Sequence, residues 1–515
     1  MSPLVRNVLS TYAVRFVSVA SGFVLFPVVA HHIGLARYGL WLLVSGSIGI
    51  FVVADLGMGT ATLRQIADRH AHGDRDGLDR VVSTSLAFFA VLGIGLTVAY
   101  LGCMWLLWPR FQIPPGETRL ALSMLLWAAL STFLFGLPLG VFGTTLVGIQ
   151  RADVANALQL AQALVRFASI VALLWAGFDV LAVVIADAAI GIAVGCGYLV
   201  ACRRLIPRLR PRVSLVSRSL LASMMPYSLR VFAMGLSALV IFQTDNLIIG
   251  AFLPVASVTI YAAAYRVYLV VRQFTYALIN PLVPDAARAT ALAQPARVRA
   301  LLVRGTKYSN GLTLLLAIPA TLFAKPLLVA WAGADFARAA PSLQILLLSL
   351  LANNNHLVAF ALLTGMGRIG AYLGYQVAWA AANVVLSVVL IQRLGLAGVA
   401  LGTALPVVVL EPFYLRTAIR ETGIDGRHFL VAAVLRPGLA AATAVAPVLT
   451  ALALSARVTP LRACALTIGY AMPYLFAFSR LAIDAEDRRL LRRLLQRLTT
   501  LPRPGPATPS GPRRP

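Results

Sequence analysis

Three arginines lie inside the two long apolar runs of segment 226–276, where a charged side chain is costly. Arg230 and Arg266 each stand roughly ten residues, or ~15 Å at 1.5 Å per residue, from the nearer end of a run. Arg272 follows Arg266 in the same run and is closer to its end. A guanidinium at bilayer depth normally faces a protein interior or a water-filled cavity, because lipid cannot solvate it. The alternative is that these side chains reach back to the nearer membrane surface.

The run that contains Arg266 also carries aromatic residues. Five residues at helical spacing share one face of this predicted helix: Tyr261, Tyr265, Tyr268, Arg272 and Tyr276. A cationic and aromatic face within a membrane helix predicts a polar cavity that receives an anionic ligand.

The composition excludes an ordinary soluble protein. Hydrophobic residues make up 60% of the 515 residues and charged residues only 12%. The apolar residues come in blocks of about 20, which as helices span a ~30 Å hydrocarbon core. We predict an all-α polytopic membrane protein with about fourteen transmembrane helices. The predicted spans are 8–30, 39–60, 82–107, 120–140, 154–176, 180–201, 219–242, 255–277, 305–327, 341–363, 371–391, 396–415, 429–453 and 461–480.

The charges of the loops predict the orientation in the membrane. Basic clusters occupy 64–80, 203–218 and 288–307, whereas the loops on the opposite side carry only scattered cations. The positive-inside rule therefore places both termini in the cytoplasm. This rule and attraction to anionic lipids explain the net charge of +26, so no nucleic-acid partner is expected.

The sequence indicates neither a cofactor nor a metal. The four cysteines lie in or beside apolar segments without the spacing of metal ligands. The chain contains no GxxxxGK[ST] nucleotide-binding motif. The short loops leave no extramembrane domain large enough for an enzyme, so no catalytic residue is predicted.

The first six spans are repeated in the sequence. Segment 12–16 matches 227–231 and segment 181–184 matches 396–399, both displaced by 215 residues, and 148–151 matches 365–368, displaced by 217. Because six spans is an even number, the copies enter the membrane from the same side, as in transporters built from parallel repeats. The repeat places Arg15 and Arg230 at equivalent positions facing a central cavity.

We therefore predict four regions. Two six-helix lobes cover 1–210 and 211–423, two extra transmembrane helices cover 424–483, and a cytoplasmic tail covers 484–515. The tail begins with a Leu and Arg pattern that predicts a basic amphipathic helix on the inner leaflet, followed by a Pro-rich end.

Several segments resemble the polysaccharide flippases of the Wzx type, within the multidrug/oligosaccharidyl-lipid/polysaccharide superfamily. The likeness covers about the first 420 residues, and the segments that carry it are Gly34 with YGLW at 38–41, DLGMG at 55–59, GIQR at 148–151, DNLIIG at 245–250 and YAAAYR at 261–266.

This resemblance implies a flippase of the bacterial inner membrane. Its substrate would be an undecaprenyl-pyrophosphate-linked oligosaccharide, an O-antigen or exopolysaccharide unit, moved from the inner to the outer leaflet by alternating access. The pyrophosphate and sugar would contact the cavity residues Arg15, Arg230, Arg266, Arg272, Tyr261, Tyr265 and Asn354. Asn354 belongs to the cluster 353–356, for which hydrogen bonding between helices is the alternative. Glycan polymerases and glycosyltransferases are the expected protein partners.

Energy coupling requires acids that can exchange a proton or hold a cation in the membrane. Four acids lie in or at the ends of predicted spans: Asp55, Asp187, Asp245 and Glu411. Asp245 could instead cap its helix, and Asp55 could serve the local architecture.

Two other functions remain open at this point. A multidrug or small-molecule antiporter of the same superfamily would favour acidic cavity residues for cationic drugs, whereas arginine dominates the deep positions here. A membrane polymerase or ligase acting on the lipid-linked glycan would need a sizeable outer loop, but the loops around 108–119 and 328–340 are short.

Overall fold

The structure is a computed structural model that describes residues 3–52, 55–207, 209–368, 370–453 and 459–489. These residues form helices joined by short turns, and the described ranges contain no strand. The α-helices are α1 (Pro3–Val52), α2 (Met58–Ala71), α3 (Arg75–Leu107), α4 (Thr118–Ala129), α5 (Leu137–Gly148), α6 (Ala152–Trp175), α7 (Val180–Leu205), α8 (Arg218–Phe252), α9 (Ala256–Ile279), α10 (Leu282–Ala291), α11 (Pro295–Leu322), α12 (Ala324–Ala332), α13 (Ala340–Gly365), α14 (Gly370–Leu394), α15 (Leu396–Thr422), α16 (Gly426–Phe429), α17 (Arg436–Ala453) and α18 (Pro460–Leu481).

Helix α1 folds back on itself at Gly34 and so contains the first two predicted spans. The backbone of Gly34 has φ +81°, a conformation that glycine adopts without steric cost. The rings of Phe26 and Tyr38 lie 5.3 Å apart. Twelve residues along a straight helix would separate them by ~18 Å. The two halves of α1 therefore lie side by side.

The predicted fold class is confirmed. Within the described residues, ten helices are long and apolar enough to cross a membrane, and the number is eleven if α11 and α12, bent by 78°, form one span. The predicted number of about fourteen requires α1 to count twice, at Gly34, and α8 and α9 to cross as well. The predicted span 39–60 was too long, because α1 ends at Val52 and a turn at 55–57 leads into α2.

Two π-helical turns interrupt predicted spans, one at Leu130–Gly136 and one at Leu430–Leu435. Each is followed within two residues by a proline, Pro138 or Pro437. Proline has no N–H to donate and its ring displaces the carbonyl four residues earlier, so the helix widens just before it. These two spans are therefore locally irregular rather than broken.

Helix α13 is the most enclosed of the predicted membrane helices, whereas α6 lies at the periphery. In the most apolar stretch of α13 about 72% of the residues are buried, compared with 11% in that of α6. Helix α9 packs against α1 on one side and α13 on the other. Gly39 of α1 stands against the Val255 carbonyl with no room for a larger side chain, so α1 approaches the start of α9 closely.

The last two membrane helices and the start of the tail are attached to α11. Tyr470 and Tyr474 of α18 donate hydrogen bonds to backbone carbonyls of α11, at 3.0 and 2.9 Å. Lys307 of α11 pairs with Asp484 at 2.9 Å and with Asp487 at 2.6 Å. Lys307 and Asp487 are both buried. Residues 490–515 lie outside the described part, so the predicted tail helix, like the division at 210, 423 and 483, stays a prediction.

Candidate substrate cavity

A cavity of about 280 Å³ lies between the two halves of α1, α6 and the side chain of Arg266 from α9. Its polar lining consists of hydroxyl and guanidinium groups: Ser18, Ser21, Tyr38, Ser45, Arg166 and Arg266. Apolar side chains such as Leu25 and Phe167 complete the wall. The cavity therefore combines a cationic, hydroxyl-bearing surface with an apolar wall.

Arg266 reaches from α9 into both halves of α1. Its Nη1 donates to the carbonyl of Gly22 at 2.5 Å and its Nη2 to the Tyr38 hydroxyl at 3.3 Å. Its Cζ lies 4.9 Å from the centroid of the Phe26 ring, a cation–π contact. Glycine at position 22 leaves room for this contact, since a Cβ there would stand 3.1 Å from Nη1. The structure thus places Arg266 in this cavity, and its predicted contact with substrate stays a prediction.

The second cationic group of the cavity, Arg166, was missed by the sequence analysis. Its Nε forms an ion pair with Oδ1 of Asp187 on α7, at 2.8 Å. The two side chains remain 46% and 28% exposed, so both stay accessible. The sequence could have indicated this residue, because Arg166 interrupts the apolar run 154–176 just as Arg266 interrupts its own apolar run. Asp187, one of the predicted coupling acids, therefore acts directly on a cavity residue.

The tyrosine face of α9 and Arg272 point elsewhere. Arg266 and Arg272 are six residues apart and so differ by ~120° around the helix. The rings of Tyr265 and Tyr268 are 5.7 Å apart, and Tyr261 and Tyr265 follow at 6.4 Å. Arg272 lies over the Tyr276 ring at 5.1 Å. Tyr261, Tyr265 and Arg272 do not line the cavity that contains Arg266, and their predicted contact with substrate stays a prediction.

Asp245, another predicted coupling acid, lies in a buried polar cluster. It accepts hydrogen bonds from Tyr261 at 2.7 Å and from Thr403 at 3.5 Å, and Asn383 donates to Thr403 at 2.9 Å. Within the described part of the chain, three buried oxygens here have no hydrogen-bond partner: Asp245 Oδ1, Asn383 Oδ1 and Ser387 Oγ. Asp245 therefore lies in a pocket of oxygen atoms rather than at a helix end.

The polar run on α13 is fully buried between helices. Asn354 donates to the Ser309 carbonyl at 3.3 Å and also contacts the Thr313 hydroxyl of α11. The His356 ring packs 3.9 Å from the Tyr414 ring. This arrangement is the hydrogen bonding between helices that the sequence analysis gave as the alternative for Asn354.

Glu411 of α15 lies near the same aromatic residues. It is 8% exposed and close to Tyr372 and Tyr414. Its carboxyl group faces the side chain of Asn355 on α13. Its predicted coupling role stays a prediction.

Two of the remaining predicted residues, Asp55 and Arg15, lie outside the cavity lining. Asp55 accepts a hydrogen bond from the Gly57 amide at 2.7 Å and stabilises the turn before α2. Arg15 is exposed on α1, three residues before Ser18 and therefore on the same helix face. The side chain of Arg230 lies outside the described part of the structure.

A family described as polysaccharide biosynthesis protein matches residues 4–288. The chain belongs to this family. The matched stretch covers more than half of the chain and contains every residue that lines the cavity. The family resemblance inferred from the sequence is thereby confirmed. No curated protein matches the sequence as a relative.

Solved structures of membrane transporters share the fold. The lipid II flippase MurJ, in its inward closed conformation, has a TM-score of 0.68 at 12% identity, covering 95% of this chain and 99% of its own. An inward-facing multidrug resistance MATE transporter of the MOP superfamily has a TM-score of 0.62 at 17% identity, covering 82% and 99%. A MOP superfamily transporter from Pyrococcus furiosus has a TM-score of 0.57 at 16% identity, covering 82% and 96%. The fold is therefore one that this chain shares with a flippase and with membrane transporters.

Proposed function

We propose that the protein moves an undecaprenyl-pyrophosphate-linked oligosaccharide, an O-antigen or exopolysaccharide unit, from the inner to the outer leaflet of a bacterial inner membrane. The observation that carries this proposal is the presence of Arg166 and Arg266 in one cavity with four hydroxyl groups. Family membership makes a glycan precursor the natural cargo. Glycosyltransferases would supply the substrate on the inner side and a glycan polymerase would use it on the outer side.

The cavity chemistry suits a diphosphate. Guanidinium groups form paired hydrogen bonds with phosphate oxygens, and these bonds strengthen away from bulk water. The serine hydroxyls and Tyr38 supply further donors. Sites for whole small molecules occupy ~300–1,000 Å³. A cavity of about 280 Å³ therefore accommodates the diphosphate alone, and the glycan requires the cavity to open.

Arg266 also connects the parts that must move. It belongs to α9, in the proposed lobe 211–423, but its hydrogen bonds go to α1, in the proposed lobe 1–210. Rocking of the two lobes would break these bonds. A diphosphate that takes over the guanidinium compensates for their loss, so substrate binding would favour the opening motion. With both termini cytoplasmic, Arg15 lies one turn before the cavity on its cytoplasmic side.

Ion coupling is proposed at Asp245. A carboxylate, an amide and a threonine hydroxyl converge there from α8, α14 and α15. Hard oxygen ligands of this kind hold a sodium ion, and the carboxylate alone can hold a proton. Because three helices contribute, occupancy would change how they pack.

The alternative of a multidrug antiporter fits the cavity less well. Two guanidinium groups and one carboxylate leave the site cationic, which disfavours cationic drugs and favours anions.

The test is transfer of a labelled undecaprenyl-diphosphate oligosaccharide across proteoliposomes that contain the purified protein. We expect transfer with the native protein and its loss in Arg266→Ala. Transfer of a cationic dye without transfer of the lipid-linked glycan would contradict the proposal and support the antiporter. Equal transfer by the native protein and by Arg266→Ala would show that this cavity is not the substrate site.

A further inference from the structure

We propose that the carrier diphosphate displaces Asp187 from Arg166, and that Asp187 takes up one proton as it does so. This inference rests on the proposed function and concerns the same cavity. It makes Asp187 a positioning residue for Arg166 in the empty state and a proton acceptor in the loaded state.

The first argument is the geometry of the ion pair. The carboxylate of Asp187 pairs with the Nε of Arg166, at 2.8 Å. A phosphate that binds a guanidinium side-on uses Nε together with one terminal nitrogen. A diphosphate that approaches Arg166 in this way must replace the carboxylate, because both oxyanions require the same N–H group.

The second argument is charge balance. A diphosphate esterified at both ends, to lipid and to sugar, carries two negative charges. The cavity offers two guanidinium charges, from Arg166 and Arg266, but the carboxylate of Asp187 reduces the total to one. Protonation of Asp187 restores a charge of two, so the loaded site becomes neutral. Unbalanced charge is costly at this depth, because the low-dielectric surroundings screen it weakly.

The third argument is the surroundings of Asp187. Arg166 on α6 is the charged group that acts on it, and Tyr38 on α1 and Arg266 on α9 are the other titratable groups at this cavity. The Asp187 side chain is 28% exposed, and its partner Arg166 lines the cavity, which gives a proton a route to the carboxylate. A carboxyl group that loses its guanidinium partner in such a site binds a proton more readily. The step is balanced, since one proton from water converts the carboxylate to the carboxylic acid.

The experiment measures binding of an undecaprenyl-diphosphate monosaccharide to the purified protein in detergent. In weakly buffered solution, a pH indicator should report uptake of about one proton per ligand bound. Affinity should weaken by up to about tenfold per pH unit as the pH rises above the range in which the loaded site is protonated. Asp187→Asn, which imitates the protonated acid, should bind as tightly as the native protein does at low pH, without proton uptake or pH dependence.

Asp179→Asn is the matched control. Asp179 precedes the same helix and pairs with an arginine, Arg37, at 3.0 Å, but Arg37, unlike Arg166, does not line the cavity. This variant should keep the native proton uptake and pH dependence. Before binding is measured, size-exclusion chromatography must show that both variants are monodisperse and therefore folded.

Three outcomes would overturn the inference. Native binding without proton uptake would mean that the diphosphate binds Arg166 end-on and leaves the ion pair intact. Weaker binding by Asp187→Asn at every pH would mean that Asp187 only positions Arg166. Proton uptake that persists in Asp187→Asn would place the acceptor elsewhere. By contrast, failure of the native protein to bind the lipid at any pH would reject the proposed function itself.

Discussion

Two polar regions of this protein lie within membrane-spanning helices, and they differ in whether their polar side chains are free to bind other partners. In the cavity of α1, α6 and α9, the charged side chains of Arg166 and Asp187 remain 46% and 28% exposed. On α13, Asn353 and Asn354 are at most 2% exposed and bond to or pack against neighbouring helices. The comparison separates groups that can exchange partners from groups that hold helices together.

The physical reason is the cost of charge. A buried amide needs only one or two hydrogen bonds to be tolerated, and another helix supplies them. A guanidinium needs an anion, carbonyl oxygens or water, so it remains at the edge of a hydrated space. The first region is therefore suited to binding and the second to stability.

The largest effect should come from Arg266→Ala. Hydrogen bonds to charged groups contribute about 1.5–3 kcal/mol each, and the diphosphate would lose a guanidinium that can donate two of them, so we expect transfer of the lipid-linked glycan to fall by roughly 100-fold or more. Proteoliposome transfer assays measure the rate. Arg272→Ala, on the same helix but outside this cavity, should lose much less. Similar losses in both variants would mean that the cavity is not distinct from the tyrosine face of α9.

Substitution of Asp245 should affect ion binding rather than substrate binding. If the oxygen cluster binds sodium, a sodium concentration of 100 times Kd stabilises the native protein by about 2.7 kcal/mol. Thermal unfolding with sodium or choline chloride should show this increase in the native protein, and Asp245→Asn should lose it. An equal increase in stability with sodium in both proteins would mean that Asp245 is not a ligand of the ion.

Asn354→Ala should lower stability rather than transport. It removes two hydrogen bonds between α11 and α13, which contribute about 1–2 kcal/mol together. We expect a lower melting temperature and unchanged substrate affinity of the folded protein. A loss of substrate affinity without a loss of stability would mean that Asn354 contacts the substrate.

The smallest effect should come from Tyr38→Phe. This change removes one 3.3 Å hydrogen bond to Arg266 but keeps the aromatic packing against Phe26. A loss of about 1 kcal/mol corresponds to a few-fold weaker binding of the diphosphate lipid. Unaltered affinity would show that Gly22 alone positions the guanidinium.

The fold and part of the site could be predicted from the sequence. Blocks of apolar residues indicated the helices, and the depth of Arg266 within its block indicated a polar neighbour, which proved to be the two halves of α1. The distance of a residue from the end of its own helix is a local property, and the sequence contains it directly.

The partners of each polar group could not be predicted. Helical spacing grouped Arg272 with the tyrosines, but it did not show that Arg266 would face α1 and Asn354 would face α11. From the sequence, Asp245 could be a helix cap. In the structure, Thr403 of α15 donates to it and Asn383 of α14 donates to Thr403. These contacts join residues far apart in the chain, so only the packing of helices reveals them.

The attachment of the tail to α11 has a practical consequence for anyone who shortens this protein. Asp487 and Asp484 neutralise an ammonium group, that of Lys307, which is only 1% exposed. A buried charge that loses its partners typically destabilises a protein by about 3–5 kcal/mol. Shortened versions of the chain should therefore retain it at least through Asp487.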